Sequence, residues 1–289
     1  MSGLALQILS GLATGGIYAS IALALVMIYQ ATHLVNFAQG EMAMLSTYFA
    51  WMLFAGGMGY WQVFFLTVAA SFVFGMVIER IVIRPISGGS VLSVITVFIA
   101  LMIIMTSFAG WVFTFTIKSF PSPFSDWWKI TPLLSPHEVG MIAVTLAMLA
   151  LVFAFFRFTP VGLAMRAAAL DPVASRLVGI RVSRMLALGW GLAGAVGAVA
   201  GMMAAPIVYL DPHMMGGILI YGFAAALLGG INNPWGAVLG GLIVGVLENV
   251  CGTYLVGTEL KLTIALVLIV GVLLLRPAGL FGKPTVTRV

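Results

Sequence analysis

Charged residues are scarce in this chain: aspartate, glutamate, lysine and arginine make up 7% of its 289 residues, whereas 62% are hydrophobic. A soluble globular domain carries about 25% charged residues, so this chain has too few to cover a surface that faces water. We therefore expect it to lie in a lipid bilayer, where every backbone polar group must be paired within the protein. The long unbroken apolar blocks, without the alternation of barrel strands, favour helices.

The chain also has few of the residues that enzymes and metalloproteins use. Its single cysteine, Cys251, excludes a disulfide framework and any site built on several thiolates. The three histidines stand apart, and none has a partner at metal-ligand spacing. Neither a P-loop pattern nor a Gly-x-Ser-x-Gly nucleophile elbow occurs. We therefore expect no catalytic residue, metal or cofactor, and the net charge of +5 is too scattered to indicate nucleic-acid binding.

Nine apolar segments approach the length of about 20 residues that a membrane-spanning helix needs. They are 5–29, 38–56, 60–83, 90–116, 139–157, 185–207, 216–231, 235–252 and 259–275. The segments 216–231 and 235–252 are short and glycine-rich, and they are separated at Asn232-Asn233-Pro234, so they form either two spans or a re-entrant hairpin. We predict an all-α, polytopic transmembrane bundle of about eight or nine helices, in a single domain over residues 1–289.

The positions of lysine and arginine predict the orientation, because these residues accumulate at the cytoplasmic ends of membrane helices. Ten of the thirteen fall into three clusters, which are Arg80 and Arg84; Arg157, Arg166, Arg176, Arg181 and Arg184; and Arg276, Lys283 and Arg288. Acidic residues such as Glu138 and Asp211 lie in the segments that alternate with these clusters. The pattern predicts a cytoplasmic C-terminus and, if the first two segments both cross the membrane, an external N-terminus.

Small residues spaced four apart predict close helix packing. Gly-x-x-x-Gly spacings occur at Gly11/Gly15, Gly197/Gly201, Gly236/Gly240 and Gly241/Gly245. In lipid, such pairs allow two helix backbones to approach closely, because no hydrophobic force operates between the helices. We expect a tightly packed bundle.

Among the glutamates of the apolar segments, Glu248 and Glu41 are the candidates for a functional role. An acid inside the hydrocarbon costs at least about 2.5 kcal/mol on insertion scales, so it should face a helix partner or a wet cavity. For Glu248, both a hydrogen bond across helices and a position in a solute path remain open. Glu41 lies near the start of its segment, where the positive end of a helix dipole favours an acid. A contact with substrate is the alternative for Glu41.

The arginine-bearing segment 158–184 has the signals of two short helices. Thr159-Pro160 suits a helix start, and residues 161–170 are good helix formers. Asp171-Pro172 ends that helix and caps a second one, which Gly179 ends. An ordinary loop rich in arginine is the alternative, but such a loop has no need of two caps. An exposed helical knob is what a soluble motor needs in order to push on a membrane bundle.

At these residues the sequence resembles the branched-chain amino acid ABC permease family, in particular the short permease of its two-permease systems. The family's cytoplasmic coupling loop is matched by Thr159, Gly162, Ala164, Arg166, Ala167, Gly179 and Ile180. Four further stretches are similar to the family: 11–19, 36–41, 229–248 and 276–282. The chain departs from the family pattern at Gln39, where histidine is usual, and at Ser46-Thr47.

The resemblance implies a complex in the bacterial inner membrane. A second homologous permease would complete the pathway, two cytoplasmic ATPases would supply energy, and a periplasmic binding protein would deliver a small polar solute. Coupling to the ATPases would fall to Gly162, Arg166, Asp171, Gly179, Ile180 and Arg181. Our candidates for the solute path are Asn36, Gln39, Glu41, Asn232, Asn233 and Glu248. Broken helices at membrane depth often line solute sites, which favours the break at Asn232-Asn233-Pro234.

Other functions remain open at this point. The same family includes permeases for urea and short amides, and other amino acids are further candidate solutes. An ion-coupled secondary transporter is a second hypothesis, although such proteins are expected to carry several ionisable residues in mid-span. A membrane-embedded enzyme or assembly factor is a third hypothesis, and no residue pattern supports it.

Overall fold

The structure, a computed structural model, describes residues 2–32, 35–124 and 135–282. Within these ranges the chain is helical, apart from loops and one isolated pair of bridged residues, Lys118 and Leu210. The α-helices of 6 residues or more are α1 Ser2–Thr32, α2 Gln39–Ala55, α3 Tyr60–Ile78, α4 Val91–Phe113, α5 Pro136–Phe158, α6 Pro160–Leu170, α7 Pro172–Leu177, α8 Val182–Val208, α9 Met215–Gly229, α10 Pro234–Cys251 and α11 Lys261–Leu275. The predicted all-α membrane bundle is confirmed.

Each of the nine predicted apolar segments overlaps one of these helices over most of its length. Six helices of the described ranges are long and apolar enough to cross a membrane: α1, α3 with its extension to Ile86, α4, α5, α8, and α10 with its extension to Leu255. The helices α2, α9 and α11 are shorter, with 17, 15 and 15 residues. The number of full crossings therefore stays a prediction. Lys283 and Arg288 of the third basic cluster lie outside the described residues.

Helix α1 runs through the middle of the bundle. Its apolar window is 89% buried, whereas the windows of α4 and α5 are each 22% buried. On α4 and α5, large apolar side chains such as Trp111 and Leu151 are exposed. These two helices are therefore peripheral, and their exposed side chains match the hydrocarbon that surrounds a membrane protein.

Glycines allow α1 and α10 to pack closely and antiparallel. Gly11 and Gly15 of α1 face Gly241 and Gly245 of α10, and we call these four residues the glycine seam. A Cβ added at Gly11 would lie 2.7 Å from the Cα of Val246, so a larger side chain would push the helices apart. The predicted close packing is confirmed. The two other predicted pairs also lie at close helix contacts, against α2 and α9: Gly197/Gly201 and Gly236/Gly240.

Side-chain contacts show which helix ends lie together. Arg84 donates to the backbone oxygen of Ser183 (3.1 Å), which joins the region after α3 to the start of α8. The end of α1 lies on the same side, since its Gln30 lines one cavity with Arg166. We call this side the basic end. On the opposite side, Ser10 near the start of α1 donates to Oε1 of Glu138 at the start of α5 (2.7 Å).

Helix α2 begins inside the bundle rather than at either end. Its first residue, Gln39, donates from Nε2 to the backbone oxygen of Ala193 (3.0 Å), which lies in the middle of α8. The helix then follows α8 towards the end opposite the basic end, since Gly201 lies against Thr47. A helix of 17 residues is about 26 Å long, which is enough for only part of a crossing when it starts at mid-depth.

Helix α9 begins beside the start of α2. A Cβ added at Gly40 would lie 3.3 Å from the Cβ of Met215, the first residue of α9. From there α9 runs to the basic end, because the backbone oxygen of Asn232, just after it, accepts a hydrogen bond from Gln30 (3.1 Å). The two short helices therefore start together and diverge. We call their starts, residues 39–41 and 215–217, the mid-bundle junction.

Candidate functional site

The segment between α5 and α8 forms the two capped helices that the sequence predicts, and we call residues 160–180 the helical knob. Thr159 caps α6 by accepting a hydrogen bond at Oγ1 from the backbone N–H of Gly162 (3.0 Å). Asp171 caps α7, since its Oδ1 accepts from the backbone N–H groups of Val173 and Ala174, each at 2.9 Å. A cap of this kind contributes about 1 kcal/mol. Local chemistry therefore fixes the shape of the helical knob.

The helical knob exposes apolar side chains at its tip. These are Leu170, Val173, Leu177 and Val178, of which the least exposed, Val173, is 68% exposed. Exposed apolar patches mark sites of contact with another protein or with a membrane. Arg176 lies among them and is exposed as well. The tip is therefore a candidate docking surface.

The predicted coupling residues divide into exposed residues and residues that shape the knob. Exposed are Arg166, Asp171, Gly179 and Arg181. Ile180 is half-buried, and Gly162 is buried where α5 meets α6. A Cβ at Gly162 would lie 2.7 Å from the Cα of Phe156, so this turn requires glycine. Gly179 has a φ of +85°, a left-handed conformation that favours glycine at a helix end.

Three of the predicted path residues lie at or beside the mid-bundle junction, and two of them are held by internal hydrogen bonds. Asn36 and Gln39 are fully buried. Oδ1 of Asn36 accepts from the backbone N–H of Ala38 (3.0 Å), and Nε2 of Gln39 donates to Ala193 as described. The first bond satisfies a backbone N–H group at the break before α2, and the second joins the start of α2 to the middle of α8. Both side chains stabilise the helix start.

The third of these residues, Glu41, is held less completely. Glu41 is 8% exposed, and its Oε2 atom is buried without a hydrogen-bond partner. Tyr48 lies two turns further along the same face of α2, and its buried hydroxyl has no partner either. A buried polar group without a partner costs about 1–3 kcal/mol and is rare in native proteins. This side of α2 therefore keeps unused hydrogen-bonding capacity.

Asn232 and Asn233 lie at the basic end and not at mid-depth. Asn233 caps α10, since its Oδ1 accepts from the backbone N–H of Trp235 (3.1 Å). Its Nδ2 donates to the backbone oxygen of Phe281 (3.0 Å), which holds the segment after α11 against this turn. The break in the chain is therefore a turn at the end of the bundle. A role of these two residues in the solute path stays a prediction.

Glu248 lies in a third place, within a cluster that joins α1, α10 and α11. Its Oε2 accepts a hydrogen bond from the hydroxyl of Tyr18 (2.7 Å), and its Oε1 lies 3.7 Å from Nζ of Lys261. The same Nζ donates to Oδ1 of Asn249 (3.0 Å), whose Nδ2 donates to Oγ1 of Thr14 (3.2 Å). We call these five residues the Glu248 cluster. Both carboxylate oxygens of Glu248 thus have partners inside the protein.

The structure therefore does not bring the predicted path residues to one site. Asn36, Gln39 and Glu41 share the start of α2, the asparagine pair lies at the basic end, and Glu248 lies beside the glycine seam. Tyr18 and Lys261, the partners of Glu248, were not among the predicted site residues. A signal for Lys261 was present in the sequence, because a cation at the start of an apolar segment commonly pairs with an intramembrane acid.

Within the described ranges, no group of three or more histidine, cysteine, aspartate or glutamate side chains is arranged to hold a metal ion.

Comparison with known proteins gives consistent results over nearly the whole chain. A family model described as "Branched-chain amino acid transport system / permease component" matches residues 7–273. The high-affinity branched-chain amino acid transport system permease protein LivH of Escherichia coli (strain K12) is 32% identical over 98% of this chain and 97% of its own length. The corresponding permease protein BraD of Pseudomonas aeruginosa is 31% identical over 98% of this chain and 97% of its own length.

A solved structure shows the same fold. PsaBC from Streptococcus pneumoniae in complex with Fab has a TM-score of 0.52 to this chain, at 15% identity, covering 93% of this chain and 91% of the other. At that identity the similarity concerns the fold alone. The family model that matches residues 7–273 and the two relatives all describe transport permeases. The bundle of apolar helices fits this description, which is that of a membrane transport subunit rather than an enzyme. The chain belongs to the permease family of branched-chain amino acid transport systems.

Proposed function

We propose that this chain is the permease subunit of an ATP-driven importer of branched-chain amino acids. Its partners would be a second homologous permease, two cytoplasmic ATPases and a periplasmic binding protein. The names of LivH and BraD, which describe permease proteins of high-affinity branched-chain amino acid transport systems, support the solute class. The helical knob is the observation that supports coupling to separate ATPase subunits, because it gives another protein a surface on which to push.

The shape and position of the helical knob support this coupling role. Both of its helices are capped by side chains, so a force on the tip is transmitted to the helices on either side, α5 and α8, rather than absorbed in a flexible loop. The tip presents apolar side chains flanked by arginine, a combination typical of protein interfaces. Buried apolar anchors supply most of the binding energy in such contacts.

The proposed orientation follows from the distribution of charge. Arg84, Arg166 and Arg181 lie at the basic end, and arginine favours the cytoplasmic side. The segment after α11 packs at the same end, since the backbone N–H of Leu280 donates to the backbone oxygen of Leu228 (2.7 Å). We therefore place the C-terminus in the cytoplasm and the start of α1 outside.

A charge placed at the tip tests the coupling. We expect Leu177→Asp to reduce ATP-dependent leucine uptake and recovery of the ATPase subunits on purification at least tenfold, because the carboxylate would be desolvated in the contact. Gly88→Asp is the matched control, since Gly88 is exposed in another loop at the basic end and a Cβ there meets no neighbouring atom. Normal uptake and normal ATPase recovery with Leu177→Asp would exclude the knob as the coupling surface.

Labelling tests the orientation. Cysteines would be introduced at the exposed positions Leu177 and Thr116 after replacing Cys251, the single native cysteine, by serine. A membrane-impermeant maleimide should label position 116 in intact cells and position 177 only after permeabilisation. Labelling of position 177 in intact cells would place the helical knob outside the cell. That result would contradict its proposed coupling to cytoplasmic ATPases.

A further inference from the structure

A nearly buried ion pair lies at the end of α3, outside both the helical knob and the mid-bundle junction. Glu79 is 3% exposed, and Arg84 binds both of its carboxylate oxygens: Nε donates to Oε1 (3.2 Å) and Nη2 donates to Oε2 (2.7 Å). The same Nη2 also donates to the backbone oxygen of Ser183, in the first turn of α8 (3.1 Å). We call these three residues the α3–α8 clasp.

A local change of helix type brings the ion pair together. In an α-helix, residues five apart point about 140° apart around the axis, so their side chains do not face each other. From Glu79 to Ile83 the chain forms a turn of π-helix, in which the backbone N–H of Arg84 donates to the backbone oxygen of Glu79. This wider turn closes over five residues and is found mostly at functional sites. The end of α3 is therefore shaped to form the clasp.

The clasp lies where a movement of the helical knob would enter the bundle. Ser183 follows Ile180, the last residue of the knob, by three positions. Further along α8, by about 12 Å, the same two helices pack backbone to backbone, since a Cβ added at Gly191 would lie 2.9 Å from the backbone oxygen of Phe72. The clasp therefore joins the ends of two helices that are already in close contact deeper in the bundle.

Both helices joined by the clasp also bind α2. Helix α8 accepts the hydrogen bond from Gln39 at Ala193, and Oγ of Ser71 in α3 donates to Oγ of Ser46 in α2 (2.7 Å). A movement of α8 alone would therefore shear α2 against α3. If α3 follows α8, the three helices can move as one body.

We propose that Arg84 is a positioning residue for coupling: bound to Glu79 and Ser183, it makes α3 follow α8 when an ATPase moves the helical knob. This role rests on the proposed coupling function of the knob. A guanidinium group suits the task, because its fork binds both oxygens of a carboxylate and a terminal nitrogen keeps a second hydrogen to donate. Balancing the charge of Glu79 alone would need only a cation, which lysine also provides.

The test uses the complete importer, reconstituted in liposomes with its binding protein, and L-leucine as the probe. Leucine uptake and ATP hydrolysis stimulated by the loaded binding protein are measured together, and their ratio reports the coupling. Arg84→Lys keeps a cation for Glu79, but its side chain is one bond shorter and lacks the nitrogen that reaches Ser183. We expect the uptake per ATP hydrolysed to fall about fivefold, while the yield of assembled importer stays within twofold.

A second variant releases Arg84 from its other partner. Glu79→Gln removes a buried charge rather than leaving one unpaired, and the Arg84 side chain, 38% exposed, stays in contact with solvent. We expect a fall in the ratio of the same size, and the double variant should be no worse than either single variant, because both act on one contact.

Arg80→Lys is the matched control. Arg80 is exposed in the same π-helical turn, and within the described residues it forms no ion pair. The same substitution should therefore leave the ratio unchanged. An equal fall in Arg80→Lys would assign the effect to the basic end as a whole and overturn the role of the clasp.

Two further results would overturn the proposal. A normal ratio with Arg84→Lys would exclude the clasp, because balancing the charge of Glu79 would then be the only role of Arg84. A loss of assembled importer with a normal ratio in the remainder would give the pair a structural role alone. If the unsubstituted importer takes up no leucine, the proposed function fails together with the clasp, which distinguishes that failure from the others.

Discussion

Glu41 and Glu248 are both nearly buried in the bundle, and their surroundings differ in almost every respect. Glu248 has a hydrogen bond to Tyr18 and an ion pair with Lys261, and it lies beside backbones packed through the glycine seam. Glu41, in the first turn of α2, has a carboxylate oxygen, Oε2, without a hydrogen-bond partner. One acid is part of the structure that holds helices together. The other is left free where two helices start.

This difference separates a rigid part of the molecule from a part with unused binding capacity. Interhelical hydrogen bonds and close backbone contact are the forces that hold helices together in lipid, and the Glu248 region has both. At the mid-bundle junction, Oε2 of Glu41 has no hydrogen-bond partner, a cost that proteins commonly accept at functional sites. Substitutions in the two regions should therefore act on different properties: stability in the first and uptake in the second.

The largest expected effect is a substitution in the glycine seam. Gly245→Val would place two methyl groups against the backbone of Gly11 and Gly15, which cannot move without separating α1 from α10. We expect a loss of stability of at least about 3 kcal/mol and little folded protein in the membrane. The measurement is the yield of monodisperse protein in detergent, with Gly271→Val as the control, because a Cβ at Gly271 of α11 meets no heavy atom within 4 Å. A normal yield of Gly245→Val would show that the seam is looser than the structure indicates.

The Glu248 cluster should give the next largest effect. Glu248→Ala leaves the Tyr18 hydroxyl and the Lys261 ammonium group without this partner, and we expect a loss of about 2 kcal/mol. Thermal unfolding in detergent measures it. Tyr18→Phe alone should cost less, and the double variant should lose less than the sum of the two by about 1 kcal/mol. Strict additivity would mean that the hydrogen bond contributes no stability.

Much of the fold could be predicted because hydropathy and caps are local signals. Nine apolar blocks gave nine helices, and Thr159 and Asp171 cap the helices of the knob as their neighbouring prolines indicate. The glycine pairs were likewise readable, since a spacing of four places small residues on one face of a helix. The pattern does not predict which helix each pair faces, which is α10 for Gly11/Gly15 and α2 for Gly197/Gly201.

The candidate sites were less predictable because depth and partnership depend on tertiary structure. Hydropathy predicts the length of α2, but it does not predict that α2 starts in the middle of the bundle. The partner of Glu248 is Tyr18, 230 residues away, and no local pattern joins them. The turn at Asn232 looked like a broken helix at mid-depth, whereas contacts with Gln30 and Phe281 place it at the basic end. A break in an apolar run therefore predicts a turn, but not its depth.

The smallest expected effect on stability is at Glu41, and it decides whether the two glutamates truly differ. Replacing an acid whose Oε2 has no partner should cost little, because no hydrogen bond to that atom is lost and a buried charge is removed. We expect Glu41→Gln to change the free energy of unfolding by no more than about 0.5 kcal/mol in either direction, a typical value where no packing or hydrogen bond is lost. The same thermal unfolding measurement as for Glu248→Ala gives a direct comparison. A loss near that of Glu248→Ala would mean that Glu41 has a structural partner, and the junction would then be another packed polar cluster. A residue needed for the stability of the fold should affect stability and uptake together. A Glu41→Gln protein that is stable but fails to take up leucine would therefore indicate that Glu41 acts in transport of the solute and not in stability.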